Sequence, residues 1–224
     1  MSTILFEHNF LFLLSGLTNV CIAVLVLMYG RKKLTTILIT FAGFCIAVAI
    51  FQLVQVFGTN AETAEISRRI LMLNLTDIFI GIFWTHWFLA LIGKTKQQAV
   101  ALKTIYITGL AIFFASVIAP HMFLVDSVQK WYFPFYYEPG PFYYFMVVWF
   151  FLIAVYYFYQ MYHAWMLEKD PIQRKRYKYV FFIMFYAFVT GTTAFALVFD
   201  IKIDPRISGA GGFYTIPLAY IIIK

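Results

Sequence analysis

The chain has 224 residues, of which 63% are hydrophobic and 12% charged, with a net charge of +7. So little polar surface excludes an ordinary water-soluble domain; the composition suits a hydrocarbon core roughly 30 Å thick, where each helical span takes about 20 apolar residues. The basic residues form no long tail, which argues against a nucleic-acid partner.

The first apolar run predicts a helix from Phe10 to Tyr29 carrying Ser15, Thr18 and Asn19. Glu7 precedes it and no Lys or Arg does, so it lacks the basic head of a cleavable signal peptide and is expected to stay. The second span, Leu34 to Phe57, places Gln52 and Gln55 three residues apart on one face. Cys21 and Cys45 lie inside these two runs and read as small packing residues, not as a disulfide or a metal site. The third span, Arg69 to Ile92, holds Asp77, the only acid within the spans, with Asn74 one turn before it and Gly81 one turn after. Lys103 to Ala119 is the fourth. The connection from Pro120 to Pro141 contains a dense aromatic cluster around Trp131, which reads as an interfacial belt or as a lid over an apolar ligand. The fifth span, Phe142 to Met166, brings four tyrosines (156, 157, 159 and 162) that read as packing and belt. The sixth, Tyr179 to Phe199, carries Thr190, Thr192 and Thr193. The seventh, Ile207 to Ile223, is interrupted by Gly209, Gly211, Gly212 and Pro217, residues that membrane helices tolerate. The expected fold is an all-α integral membrane bundle of seven helices in a single domain, residues 1–224.

Alternate breaks between these spans divide the basic residues unequally. One side collects twelve: Arg31, Lys32, Lys33, Lys94, Lys96, Lys103, Lys169, Arg174, Lys175, Arg176, Lys178 and Lys224. The other collects Arg68, Arg69, Lys130, Lys202 and Arg206. Cytoplasmic loops carry the excess of Lys and Arg, so the N-terminus is expected outside and Lys224 at the cytoplasmic face. The helical run Ala219 to Lys224 stops without a cap, which leads to the expectation that a cytoplasmic module follows.

An ionisable group inside a span costs about 2.5 to 3.5 kcal/mol at the centre on insertion scales, and it usually faces the bundle interior. Asp77, Asn74, Gln52, Gln55, Asn19 and Thr193 therefore stand as candidates for a ligand pocket in the outer half, open to the outside, with Trp131 at its rim. The competing reading is that these groups only hydrogen-bond helix to helix, at about 0.6 kcal/mol each. His86 and His163 fall near the same membrane boundary, a weak signal for haem or proton relay, and no metal or cofactor is expected. A retinal Schiff base needs a lysine deep in the last span, and residues 207–223 contain none. No phosphate loop, zinc spacing or nucleophile elbow appears, so the chain is not expected to be an enzyme.

From the fifth span onward a family pattern emerges. Gly140-Pro-Phe-Tyr143, the loop Gln173 to Tyr179, Gly191-Thr-Thr-Ala-Phe195, Ile201-Lys-Ile-Asp-Pro205 and the ending from Ala219 resemble the N-terminal seven-helix sensor region of bacterial histidine kinases; Trp84 and Gly93 fit the same spacing. Ala194 stands where that family often has Asn, and Asp200 where it has Gly. The resemblance implies a signal-transducing input region in a bacterial inner membrane, followed by a PAS, histidine kinase or diguanylate cyclase module. The partners it implies are the lipid bilayer, a small or lipid-like ligand and that output domain, with a homodimer left open. Gly191, Gly212 and Pro217 are candidate pivots for rearranging the last two helices, with close packing as the other reading of the glycines. The rival class is a small seven-helix transporter, which usually carries an internal repeat; none is evident between spans one to three and five to seven.

Overall fold

A computed structural model describes residues 3–31 and 34–223. Of the basic residues tallied above, Lys32, Lys33 and Lys224 lie outside the described residues. Among the described residues, five helices are long and apolar enough to cross a membrane: α1 (Thr3–Gly30), α2 (Thr36–Thr59), α5 (Ala99–Ile118), α7 (Pro141–Leu167) and the pair α8 (Pro171–Gly191) and α9 (Thr193–Val198). This is a helical membrane protein. Large apolar side chains stay exposed along the outward faces, among them Phe10, Leu17 and Leu25 on α1 and Phe145, Leu152 and Val155 on α7, where lipid is the natural neighbour.

Two further helical stretches are interrupted. Residues 64–91 run as α3 (Ala64–Leu71), a 3-10 segment (Met72–Thr76) and α4 (Asp77–Leu91). Leu71 packs against Gly58 near the end of α2, and Trp87 packs against Phe41 near its start at 5.3 Å between rings, so the stretch follows α2 in the opposite direction. Residues 206–223 run as α10 (Arg206–Gly211), a 3-10 segment (Gly212–Tyr214) and α11 (Thr215–Ile223). Arg206 bonds Glu7 at the start of α1, and the Tyr29 hydroxyl donates to the Ile223 carbonyl at its end, so this stretch runs the length of α1.

Several elements begin earlier than hydropathy placed them. The first helix starts at Thr3 instead of Phe10, because Glu7 and His8 find partners in Arg206 and the Pro205 carbonyl. The segment Gln173 to Tyr179 is not a loop but the opening turns of α8: Asp170 caps the helix by accepting from the Ile172 N–H, and Pro171 supplies the first helical φ. Hydropathy detects the apolar part of a helix and stops where lysines and arginines reach for the interface.

The all-α expectation also misses a strand pair. After the short helix α6 (Pro120–Phe123), β1 (Leu124–Lys130) and β2 (Phe133–Pro139) form an antiparallel hairpin whose register slips twice, between Leu124 and Asp126 and between Val128 and Lys130. Three of its aromatics are buried and so form no lipid-facing belt. Phe133, Tyr136 and Tyr137 are buried with Phe123 and Tyr143 in a core that covers this end of the bundle. A second core lies toward the other end, built around Phe41, Phe44, Trp84, Trp87, Phe88 and Tyr157.

Candidate functional site

Between the two cores the helices leave a cavity of about 100 Å³. The aromatic residues on its walls are Phe44, Phe51, Trp84, Phe150, Phe188, Phe195 and Tyr214. The polar groups on it are Gln52, Asp77, Thr192 and Ser208. Asp77 is 9% exposed, and its Oδ1 has no hydrogen-bond partner among the described residues. A buried polar atom without a partner costs about 1 to 3 kcal/mol, so this oxygen is what a ligand donor in the cavity would meet.

Interrupted backbone places Asp77 and Thr192. The 3-10 segment at Met72–Thr76 tightens the helix just before Asp77. Thr192 is the residue at which α8 ends and α9 begins, and its hydroxyl turns back to the Val189 carbonyl at 3.0 Å. Gly211 and Gly212, at the start of the last 3-10 segment, close one side of the cavity because they admit their neighbours so closely. A Cβ on Gly212 would overlap Gln52 Nε2 and Ser15 Oγ, and one on Gly211 would overlap Thr190. Only glycine allows that approach.

Gln52 belongs to both the cavity and a buried network. Its Nε2 donates to Ser15 Oγ at 2.8 Å, while its Oε1 accepts from Asn19 Nδ2 at 3.1 Å. The same Asn19 amide lies 3.2 Å from the Gly212 carbonyl and 2.9 Å from that of Ser15. Three elements, α1, α2 and the terminal stretch, thus meet at one amide.

The other candidates lie elsewhere. Gln55 donates to the Tyr137 hydroxyl at 3.0 Å and so belongs to the hairpin core. Asn74 is buried but forms no part of the cavity wall, and neither of its amide atoms has a hydrogen-bond partner among the described residues. Thr193 donates to the Thr190 carbonyl at 2.6 Å, and its neighbour Thr192 lines the cavity instead. Trp131 sits at the hairpin turn with φ 52°, half exposed, under the ammonium of Lys202 at 5.5 Å, away from the cavity. Of the three pivot candidates, Gly212 is tightly packed, Gly191 faces open space, and Pro217 falls in the first turn of α11, where its missing N–H has no helical partner to lose. His86 bonds the Tyr106 hydroxyl at 2.8 Å and His163 packs on Tyr159, so each imidazole has its own local partner.

Two ion clusters tether the segment between α9 and α10, which lies outside the spanning helices. Lys130, buried in the hairpin, reaches Asp200 at 3.1 Å and Glu138 at 3.6 Å and donates to the Val198 carbonyl at 3.0 Å. Arg206 grips Asp204 with two nitrogens and Glu7 with a third, and those hydrogen bonds hold the Asp204 carboxyl below the ordinary range. Sequence reasoning missed Ser208 and Tyr214 on the cavity wall; the glycine cluster from 209 to 212 was the signal that another backbone comes close there. No known protein family, curated protein or solved structure matches this chain.

Proposed function

We propose that this chain is the membrane-embedded input domain of a bacterial signal-transduction receptor. A small amphiphile binds against Asp77 and Gln52, and the terminal stretch carries the response to an attached cytoplasmic output module. The observation that carries this reading is a shared wall: the cavity that exposes the Asp77 carboxylate is closed on one side by Gly211 and Gly212, and α11 follows directly from them. A ligand that favours one placement of this wall over another shifts α11 by the difference in its affinity for the two.

In this reading the interrupted stretches 64–91 and 206–223 also cross the bilayer, making seven crossings with the N-terminus outside. Their course beside α2 and α1 supports the count. The charge imbalance supports the direction in the plasma membrane: Arg68, Arg69, Lys130, Lys202 and Arg206 belong to the hairpin end, and the described members of the larger basic set belong to the other.

The test begins with a thermal-shift screen of small alcohols, phenols and amines on the purified protein in nanodiscs. For a compound that raises the melting temperature, hydrogen exchange in residues 215–223 should change on binding, and Asp77→Leu should abolish both effects. Exchange in α11 that ignores every stabilising compound would remove the receptor reading. Accumulation of the compound inside proteoliposomes would replace it with the carrier.

A further inference from the structure

Of the residues that line the cavity, Gly191 stands out at the molecular surface. This residue lines the cavity and is exposed, and a Cβ added to it would meet nothing within 4 Å. Gly191 lies where α8 gives way to α9, and α8 and the neighbouring α10 carry exposed apolar side chains, among them Tyr186, Val189 and Ile207. Those faces suit lipid, not water.

The hairpin end, by contrast, is closed over the cavity. The Tyr136 hydroxyl donates to the Ala194 carbonyl at 3.3 Å, Lys130 holds the Val198 carbonyl and Asp200, and the cavity-lining Phe195 packs on Tyr143 and Phe150. A solute coming from the water above would have to part this layer. One dissolved in the bilayer has only to pass Gly191.

The chemistry of the walls selects what can enter. Seven aromatic residues help to line a space of about 100 Å³, below the roughly 150 Å³ of an engineered apolar cavity that takes up benzene, so the occupant is smaller than benzene. The Asp77 carboxyl calls for a polar head, and a hydroxyl both donates and accepts, so it can pair with the carboxyl whether ionised or protonated. We propose that the occupant is a small hydroxyl-bearing amphiphile, a short-chain alcohol, that reaches Asp77 sideways from the bilayer through a gap at Gly191. This rests on the ligand-cavity reading above and adds the ligand's class and its route.

The probe is 2,2,2-trifluoroethanol at millimolar concentration, followed by fluorine NMR on the full chain in lipid nanodiscs, with equilibrium binding and exchange rate measured separately. Saturable binding is expected in the native chain, at least tenfold weaker in Asp77→Leu. Gly191→Trp should slow association at least fivefold, while Val155→Trp, equally large and on the lipid face of α7, should leave the rate alone. Should Gly191→Trp unfold the protein, Gly191→Leu serves as the smaller obstruction, with a slowing of about twofold expected. Saturable binding with unchanged association in the Gly191 variants would overturn the lateral route and leave the cavity reading standing. Absence of saturable binding in the native chain would overturn the cavity reading, and this proposal with it.

Discussion

The bundle divides into an unbroken half and a broken half. Helices α1, α2, α5 and α7 run without interruption and turn rows of apolar side chains outward. The stretches 64–91, 171–198 and 206–223 each change helical geometry once, at 72–76, at 192 and at 212–214. Each change adjoins or lines the cavity, at Asp77, Thr192 and Gly212. Irregular backbone is tolerated at membrane depth only where protein or a cavity satisfies it, so the breaks and the cavity have a common cause. Regular helices supply part of the cavity wall, from α2 and α7, and every break falls at or beside it.

The sharpest way to break this comparison is at Gly212. A side chain there would strike Gln52 and Ser15, so Gly212→Val should destabilise the protein by about 3 kcal/mol, the upper end of ordinary overpacking. Thermal unfolding in micelles would read it as a large fall in melting temperature. A small fall would mean that the last stretch is loosely seated and that its glycines serve mobility more than packing.

Next come Gln52 and Asp77, two of the polar groups on the cavity, for which opposite signs are expected. Gln52→Leu leaves Ser15 and Asn19 without their side-chain partner and should cost about 1 to 2 kcal/mol. Asp77→Leu removes a buried carboxyl whose Oδ1 has no hydrogen-bond partner among the described residues, and should stabilise the protein by about 1 kcal/mol while ending ligand binding. If both variants lose stability alike, Asp77 is a packing residue and the two halves differ less in purpose than in shape.

The unbroken half was the more legible in sequence. Its hydropathy alone marks α1, α2, α5 and α7, because a long apolar run has few alternatives to a membrane helix. Asp77 was legible for the same reason, as a lone acid in apolar surroundings. The network around Gln52 was not, because Asn19 and Gly212 lie 193 positions apart and only the fold brings them together. The hairpin hid behind its own irregularity. Its two register slips break the alternation that betrays a strand, Pro134 and Pro139 speak against one, and the aromatics of a buried cap look in sequence like those of an interfacial belt.

A smaller effect is expected where the broken half is tied to α1. Asp204 is held below its ordinary value of 3.8, chiefly by hydrogen bonds from Arg206, so its ionised form favours the folded state. That contribution is present above the unfolded value and is lost as the pH falls through the lower, folded one. Melting temperature should therefore drop below about pH 4 in the native chain, from this group among other carboxylates. The drop should be shallower in Arg206→Gln, where Asp204 and Glu7 no longer have the guanidinium to lose. Equal slopes would mean that the tether between α1 and the terminal stretch contributes nothing to holding the two together.

The smallest effect should fall on another glycine of the broken half, Gly191. Gly191 and Gly212 both line the cavity and look alike in sequence, yet a methyl at Gly212 collides with two side chains and one at Gly191 touches nothing within 4 Å. Gly191 also ends α8 in helical backbone and is absent from the positions of positive φ, so alanine can adopt its conformation there. Gly191→Ala should accordingly change stability by no more than about 0.5 kcal/mol, with any gain coming from the smaller entropy of the unfolded chain. Near-identical melting curves, beside the collapse expected for Gly212→Val, would separate the wall of the site from its opening. A loss at Gly191 comparable to that at Gly212 would mean that the gap is filled by packing, and the cavity would then have no way out to the lipid.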